Sequence, residues 1–522
     1  MHRLVIGTVS LLGVAAVAVV AGYLLLFSAA VDRAAAMAPS NTAFYVNVYL
    51  QPSTGQQMNL SELIGRLPGF ADDASLDEKV DQVVQNLLSG TGVDYREQVK
   101  PWLGNQIALA GWPGDDGVAE AQPVVIAEVK DPEAARAAVA DLVATGGGAF
   151  DAETHEGVEI QVSTGGAYAF VGEMLVIGPD AAVIRPVIDA HGGAESLADR
   201  ADFRETMDAL EPDHLAAMFL DLAAVGEASG ASDQLAGVST AGAVVVAERD
   251  GLRLSGNAPY DRDQADPSAQ AGFALGGEPS SLVDWMPDDT IAEIVVFGLR
   301  QTLEDAEEAV GELPEGEELG GMLDTVRAFA AFGLGINLDD DVLPLFDREV
   351  ALAISGIDGD LPTGQLLLRP SDPEAAESTL DRIADGLSVI GATRETVSSG
   401  SVEVTILSLP DTGEVAYTVV DGIVILGLRA EDVALAVESH AAGASLGSSE
   451  RYTRTFEVAG TRAGNEGYVD VGAVVDLLGA GVDLPDDARD ILEQIGTFGF
   501  TAPSRDDSLE FHAVLTVDAA PE

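Results

Sequence analysis

The hydrophobic and polar positions of this chain follow one pattern twice. The segment Ala167–Gly178, AYAFVGEMLVIG, is mostly apolar with small and polar breaks, and Ala416–Gly427, AYTVVDGIVILG, matches it. The register then continues without a gap over 167–225 against 416–474. Alternation with a period of two predicts β-strands, and apolar residues three and four apart predict helices. We therefore expect the same series of elements in both halves of the chain.

Strands dominate the predicted series. Each half is expected to open with a strand, add two more after a helical stretch, and continue with a hairpin. The predicted strands are Ala43–Leu50, Gln106–Ala110, Pro123–Val129, Val158–Ser163 and Ala167–Ile177 in the first half, and Ile291–Phe297, Glu349–Ala353, Gly364–Leu368, Val402–Leu407 and Ala416–Leu426 in the second. Turn residues at Glu173 and at Asp421-Gly422 indicate that the last strand of each set is two short strands.

Helices are predicted between these strands. Both halves contain Asp-Pro-Glu-Ala-Ala, at 131–135 and 372–376. Asp is a good N-cap, Pro is tolerated at the first helical position, and Glu suits the first turn. The other predicted helices are the apolar stripe Leu76–Leu88 with its counterpart Met322–Phe332, then Ala181–Ala190 with Ala430–Ser439, and Phe203–Leu210 with Tyr452–Ala459. A strand carrying Asp221 or Asp470 and a closing antiparallel pair complete each half.

Strands joined through hairpins favour an α+β fold over a doubly wound sheet. We predict two tandem copies of an antiparallel-sheet-plus-helices unit after an N-terminal transmembrane helix. The first copy is placed at 38–262, a Gly-, Ala-, Pro- and Ser-rich linker at 263–283, and the second copy at 284–519. Such a duplication predicts architecture but carries no chemistry.

The N-terminus is predicted to be a membrane anchor. Residues Leu4–Ala30 are uncharged and mostly apolar, and about 20 such residues cross a bilayer as a helix. His2 and Arg3 precede this run, so residues 1–3 are expected to remain cytoplasmic and the bulk of the chain to lie outside. A cleaved signal peptide is the alternative, although its apolar region is normally only about 7–15 residues long.

Composition narrows the function classes. The chain has 522 residues, 26 basic and 87 acidic residues, and a formal charge of -61. This charge disfavours binding to nucleic acid or to anionic lipid headgroups. We interpret it as adaptation to salt, with GC-rich codon usage and weak cation binding as alternatives, and expect the melting temperature to fall between molar and millimolar NaCl. The lack of cysteine excludes disulfides and thiolate metal sites.

Two segments resemble a known family. Tyr49–Phe70, YLQPSTGQQMNLSELIGRLPGF, resembles the opening of the bacterial DUF3352 proteins, in which a strand leads into a (D/Q)-P-S-x-G-Q pattern and a helix. Tyr468–Leu478, YVDVGAVVDLL, and the anchored N-terminus also look like that family. Gln51 stands where Asp is expected in many relatives. The resemblance implies a membrane-anchored protein of unknown function and assigns no catalytic residue, cofactor or metal.

Three pairs or motifs were candidates for chemistry. Gly443-Ala444-Ser445-Leu446-Gly447 fits the G-x-S-x-G pattern of a hydrolase nucleophile, but a predicted helix rather than a strand precedes it. His191 and His440 occupy matching positions, where a helix C-terminus explains a histidine without catalysis. Asp221 and Asp470 interrupt apolar runs, and each is predicted to cap the following helical turn, with paired-carboxylate chemistry as the alternative.

Two loop motifs have residues that occur in ligand sites. Asp339-Asp340-Asp341 could offer oxygens to calcium, but it lacks the spacing of a calcium loop, so helix capping is preferred. Gly146-Gly147-Gly148 lacks the Lys and Ser/Thr of a phosphate-binding loop and is interpreted as a helix end. We therefore predict no catalytic, cofactor-binding or metal-binding residue.

The sequence leaves three functions open. The first is a non-enzymatic envelope protein that acts as a scaffold or interaction module, with an envelope protein or lipid as its partner. The second is a carrier of an apolar ligand such as lipid, in a cavity between sheet and helices. A hydrolase is the third.

Overall fold

The chain forms two compact units. The computed structural model describes residues 32–518 apart from position 52, most of 67–93, 114–122, 147–149, 230–236, 265–274, most of 305–334, 360, 410–412, most of 479–493, and 506. Unit 1 comprises residues 1–265 with 507–510 and 519–522, and unit 2 comprises 266–506 with 511–518.

The described residues of unit 1 form ten strands and the first helices. Its strands are β1 Phe44–Tyr49, β2 Leu103–Gly111, β3 Val124–Val129, β4 Asp151–His155, β5 Val158–Ser163, β6 Gly166–Val171, β7 Met174–Gly178, β8 Ala216–Asp221, β9 Thr240–Glu248 and β10 Gly251–Pro259. Its described helices are α1 Thr54–Arg66, α2 Pro132–Gly146, α3 Ala181–His191, α4 Ala201–Asp208 and α5 Leu222–Ser229. Short helical turns cover Tyr95–Val99 and Leu197–Asp199.

The described residues of unit 2 also form ten strands, with helices between them. Its strands are β11 Ala292–Phe297, β12 Glu349–Asp358, β13 Leu361–Arg369, β14 Thr393–Ser399, β15 Val402–Leu409, β16 Gly413–Val420, β17 Ile423–Gly427, β18 Asn465–Asp470, β19 Ile495–Ala502 and β20 Ser508–Val517. Its described helices are α6 Pro373–Val389, α7 Ala430–Ala442, α8 Glu450–Ala459 and α9 Val471–Leu478. Short helical turns cover Leu282–Asp284, Leu338–Val342, Leu343–Phe346 and Leu446–Ser448.

Each unit is built on an antiparallel sheet, and the strand order is the same in both. In unit 1 the order is β10-β9-β8-β1-β2-β3-β7-β6-β5-β4. In unit 2 it is β20-β19-β18-β11-β12-β13-β17-β16-β15-β14. The first strand of each unit therefore lies in the middle of its sheet, between the strand that follows it and the strand that carries Asp221 or Asp470.

Helices close one face of each sheet. In unit 1, α3 and α4 pack on the sheet through buried residues such as Ile184 and Phe203. In unit 2, α7 and α8 do the same through Val433 and Phe456. Burial of each large aliphatic or aromatic side chain contributes about 2 kcal/mol, so these layers supply much of the stability of each unit.

Local sequence explains where these helices begin and end. Asp180 caps α3 by accepting from the Ala182 and Val183 amides at 2.8 and 3.3 Å. The α7 and α8 helices end at Gly443 and Gly460, whose positive φ angles of 66° and 80° suit glycine. The predicted Asp-Pro-Glu-Ala-Ala helix starts are confirmed, because Asp131 and Asp372 each accept hydrogen bonds from first-turn amides.

The predicted antiparallel sheets and their hairpins are confirmed, but two strands were missed. β4 and β14, DAETH and TRETVSS, are polar and lie at the edge of each strand order. Edge strands are half exposed and often charged, so they show little apolar alternation. The predicted split at Glu173 and at Asp421 is confirmed, since the turns β6–β7 and β16–β17 fall there.

Parts of the prediction fall outside the described residues. The predicted anchor at 4–30 lies there, as do most of the apolar stripe 76–88 and of its counterpart 322–332. Within the ranges that the structure describes, no helix combines the length and the apolar character needed to span a bilayer.

Candidate functional site

Asp221 and Asp470 occupy matching positions at the end of β8 and β18. Each caps the helix that follows, because Asp221 Oδ1 accepts from the Ala224 amide at 2.9 Å and Asp470 Oδ1 from the Ala473 amide at 3.0 Å. The prediction of a capping role is confirmed. The two carboxylates lie in different units, each with its own local partners.

An arginine neutralises each of these aspartates, but it comes from a different position in each unit. Arg200, just before α4, donates to Asp221 Oδ2 at 2.9 Å, and also to Asp202. Arg451, inside α8, donates to Asp470 Oδ1 at 3.1 Å and pairs with Asp518. A carboxylate that caps a helix and pairs with a guanidinium is already fully engaged, so both aspartates are structural.

The two histidines also have structural roles. The His440 ring stacks on Trp285 with centroids 3.8 Å apart and planes 6° apart, and its Nδ1 lies 3.0 Å from the Asp284 carbonyl oxygen. His191 lies against the β6–β7 turn, where a Cβ on Gly172 would come within 2.9 Å of its ring. The prediction placed both after a helix; in fact each lies in the last turn, of α3 or α7.

Ser445 is not built as a nucleophile. It is buried between α7 and a single helical turn, its amide donates to Ser448 Oγ at 3.1 Å, and its backbone bridges to Pro287. Ser196 is the counterpart in unit 1 and bridges to Pro39 in the same way. A strand-to-helix elbow would present the hydroxyl to solvent. The repeated serine instead closes a loop.

The acidic and glycine loops are the remaining sequence candidates. The prediction that Asp339-Asp340-Asp341 caps a helix is wrong. The triplet lies inside the turn 338–342, and Asn337 caps that turn. The Asn337 amide, with the nearby Arg382 guanidinium, lowers the pKa of Asp341. Among the described residues no three His, Cys, Asp or Glu side chains could hold a metal ion. Gly146 ends α2, and 147–149 lie outside the described residues.

One polar arrangement occurs in both units. In unit 1, Gln106 Oε1 on β2 accepts from the Arg33 and Ala34 amides at 3.1 and 3.2 Å. In unit 2, Glu349 Oε1 on β12 accepts from the Ser281 and Leu282 amides at 3.0 and 3.2 Å. We call these side chains the loop clamps, because each holds the segment before the first strand of its unit.

A cluster of buried acids lies on the same sheet face of unit 2. Glu466 on β18 is completely buried, and its Oε1 accepts from Tyr452 Oη at 3.0 Å and its Oε2 from Arg462 Nε at 3.0 Å. Glu293 on β11 lies opposite Tyr468 and is the diagonal neighbour of Glu466 on the same sheet face, two residues along the strand. Within the described part of the chain, neither carboxyl oxygen of Glu293 has a hydrogen-bond partner. We refer to Glu293, Glu466, Tyr452 and Arg462 as the acid cluster.

The electrostatics of the acid cluster favour a bound proton. Burial, together with the charge of Glu466, raises the pKa of Glu293 well above its ordinary value of 4.5. Burial also raises the pKa of Glu466, against the opposing effect of Arg462. Arg462 lies over the Tyr452 ring at 5.1 Å and pairs with Glu466. Two buried carboxylates with one cation do not both ionise readily.

A shallow depression of about 380 Å³ borders this cluster. Its lining residues belong to α8 and the adjoining loops: Gly447, Tyr452, Thr453, Phe456, Glu457, Gly460, Thr461 and Arg462. The depression therefore connects the surface with two members of the acid cluster.

Sequence reasoning missed the acid cluster. Glu293 is the one charged residue in the apolar strand AEIVVF, which is the kind of signal that singles out Asp221 and Asp470. Glu466 lies in NEGYVD, four residues before Asp470, where the sequence is too polar to mark it. The signal could have found Glu293, but the matching positions of unit 1 carry Tyr45 and Ala217, so the repeat gave neither glutamate support.

A protein-family model matches nearly the whole chain. The family model described as "Protein of unknown function (DUF3352)" matches residues 4–516. No curated protein matches the chain.

Solved structures show only weak likeness. Crystal form III of a protein designated TP0453 has a TM-score of 0.25 and 11% identity, covering 48% of this chain and 90% of TP0453. Crystal form IV has a TM-score of 0.23 and 10% identity, with 43% and 79% covered. A likeness at this level carries no argument about fold or activity.

Proposed function

The chain belongs to the DUF3352 family of proteins of unknown function, and we propose that it is a non-enzymatic interaction module anchored outside the cytoplasm by residues 4–30. Its contact surface is the face of the unit 2 sheet that α7 and α8 do not cover. The partner is another envelope protein that presents an apolar surface.

The observation that carries this proposal is a group of exposed apolar side chains on that face. Ile294 on β11 and Leu352 on β12 lie directly opposite each other and are 45% and 44% exposed. Phe498 on β19 and Phe511 on β20 project from the same face and are 39% and 40% exposed. Soluble surfaces rarely group large apolar residues in this way unless they bind something. We call these four residues the apolar patch.

Among the residues that the structure describes, helix α6 covers another part of the same face. Along the same face, α6 buries Leu368 and Val424 under Leu380 and Ala384. The sheet therefore carries apolar residues on both faces. The α6 cluster on this face takes in residues of β12, β13, β15, β16 and β17, including Val350 and Leu407. In unit 1, the matching residues Val46 and Leu109 are half-buried.

The structural contacts of the candidate catalytic residues support a non-enzymatic role. Asp221, Asp470, His440 and Ser445 each have a structural partner that explains their presence. A hydrolase would need a nucleophile within reach of a base. Ser445 is buried in a loop-closing position instead, so the hydrolase hypothesis loses the residue on which it rested.

A lipid carrier is the second candidate, with the apolar patch as the place where lipid would bind. The space between the unit 2 sheet and its α7 and α8 helices is filled by residues such as Val295, Ile425 and Val433. An acyl chain would therefore bind on the open sheet face rather than between sheet and helices.

The shared strand order supports a further part of the proposal, that one ancestral unit was duplicated. In both units a backbone hydrogen bond joins the loop before the first strand to the short helical turn that follows α3 or α7. The Leu197 amide donates to the Ala38 carbonyl, and the Leu446 amide to the Met286 carbonyl, each at 2.8 Å. Matching contacts between residues far apart in sequence are unexpected unless the units share an origin.

Photo-crosslinking in intact cells tests the contact surface. A photoreactive amino acid at Leu352 is expected to give one predominant protein adduct, which is lost when Ile294 and Phe498 are both changed to Ser. Lipid adducts at Leu352 would favour the carrier instead.

The matched control is Ile177, which is 44% exposed on the corresponding sheet face of unit 1. A photoreactive residue there is expected to give no predominant adduct. Equal adducts from 177 and 352, or none from 352, would refute the proposed surface.

A further inference from the structure

The acid cluster has an unequal supply of hydrogen-bond donors. Glu466 receives the Tyr452 hydroxyl and the Arg462 guanidinium, both at 3.0 Å. Glu293 is buried beside it, and no donor in the described residues reaches its oxygens. An ionised carboxylate without donors is costly in such a place, whereas a neutral carboxyl is tolerated.

The surroundings of Glu293 add negative charge rather than removing it. Glu466 and Tyr468 face it from β18, and Glu349 occupies the same sheet face on β12. Tyr452 faces the pair from α8. The nearest cation is Arg462, which is already engaged by Glu466 and by the Ser280 carbonyl.

We propose that Glu293 and Glu466 form a proton-binding pair that keeps the sheet of unit 2 packed against α8 while one proton is bound. Loss of that proton leaves two negative charges in a packed interior, where the Arg462 guanidinium pairs with Glu466 and no donor in the described residues reaches Glu293. The charges separate by admitting water through the depression lined by Tyr452 and Arg462, which loosens α8 from the sheet. This device concerns the packing of unit 2 and does not depend on the proposed contact surface.

The direction of the pH dependence follows from linkage. Burial raises the pKa of Glu293 above its unfolded value, so folded unit 2 holds a proton that the unfolded chain releases. Stability conferred by that proton is complete below the ordinary pKa of 4.5 and falls as pH rises toward the folded pKa. For a single proton, the unfolding equilibrium constant rises by up to about tenfold per pH unit within this window.

The variant Glu293→Gln removes the ionisable group with little change in shape. Unfolding of unit 2 is followed in denaturant by the fluorescence of Trp285, with Trp102 and Trp112 of unit 1 replaced by Phe. The parent chain is expected to lose stability between pH 5 and 8 relative to Glu293→Gln, with a difference that grows with pH. Parallel pH profiles for the two chains would overturn the proposal.

Infrared spectroscopy detects the proton without relying on the stability of a variant. At pH 8 the folded parent chain is expected to show the carbonyl stretch of a protonated carboxylic acid. Glu466→Gln removes the neighbouring negative charge that raises the pKa of Glu293, so it is expected to shift the loss of this band to lower pH. Glu349→Gln is the control, because several donors already reach that carboxylate, and it should leave the band in place. If no band from Glu293 exists in the parent chain at any pH above 6, the proton-binding pair is refuted.

Discussion

Unit 1 and unit 2 hold the loop before their first strand by the same geometry but with different chemistry. Gln106 provides a neutral oxygen to two backbone amides, and Glu349 provides a charged one. The position must offer an acceptor, since two buried amides would otherwise lack partners. The acceptor differs in charge between the units, and each acceptor has a different additional donor. Asn47 on β1 donates to Gln106, whereas Ser281 Oγ in the loop donates to Glu349.

A second difference concerns the arginines that pair with Asp221 and Asp470. In the aligned sequence Arg200 matches Ser449, and Arg451 matches Asp202, so the two arginines are not copies of one residue. Both nevertheless bring a guanidinium to a helix-capping aspartate. Long, flexible side chains allow one point in space to be reached from neighbouring positions.

The largest expected effect is on the loop clamps. Glu349→Ala is expected to destabilise unit 2 by about 3 kcal/mol, because it leaves buried backbone donors without an acceptor. Gln106→Ala is expected to cost unit 1 about 2 kcal/mol, since bonds to a neutral oxygen are weaker. Denaturation monitored by Trp285 for unit 2 and by Trp102 and Trp112 for unit 1 measures both losses.

The exchange variants Glu349→Gln and Gln106→Glu provide the control. Both retain an acceptor, so each is expected to cost less than the corresponding alanine variant. An equal loss from Gln and Ala at 349 would show that the charge, rather than the acceptor, holds the loop.

A smaller effect is expected at the arginines. Arg200→Ala is expected to cost about 2 kcal/mol because Arg200 is mostly buried, bonds to the Ser40 and Thr42 carbonyls, and lies over the Phe219 ring. Arg451→Ala is expected to cost about 1 kcal/mol, since its side chain is more exposed. The free energy of unfolding of each unit gives the comparison.

The helix caps offer a matched test of this difference. Asp221→Asn and Asp470→Asn retain a capping oxygen but lose the ion pair, and each is expected to cost about 1 kcal/mol or less. A loss at 470 larger than that at 221 would contradict the ranking of the two arginines.

The smallest effect is expected at the matched histidines. His440→Ala removes the ring stacked on Trp285 and is expected to cost about 1 kcal/mol and to change the Trp285 emission. His191→Ala, without an aromatic partner of this kind, is expected to change stability by less than about 0.5 kcal/mol. Equal effects at the two positions would indicate that the stacking contributes nothing.

Periodicity predicted the fold better than it predicted any site. The strands β6 and β7 and their counterparts were found because alternation in AYAFVGEMLVIG has a simple geometric cause. The polar edge strands β4 and β14 were missed because they bury few side chains and therefore show no apolar alternation. The capping roles of Asp221 and Asp470 were predictable because the cap and its helix are adjacent in sequence.

The acid cluster could not be assembled in that way. Glu293 and Glu466 are separated by most of unit 2 in sequence and become neighbours only because β11 pairs with β18. A lone glutamate in an apolar strand is compatible with a surface position, a salt bridge or a buried proton. Choosing between these requires the register and the donors that surround it.

The sequence by itself determined the antiparallel α+β elements, the apolar N-terminal run, the strong acidity and the resemblance to the DUF3352 family. These properties depend on local periodicity and on composition, which the sequence gives without any knowledge of contacts between distant segments. The pairing of Glu293 with Glu466, the differing loop clamps and the exposure of Ile294 and Leu352 depend on contacts between distant segments. Such contacts arise from strand order and helix coverage, and these are settled only when the sheets assemble.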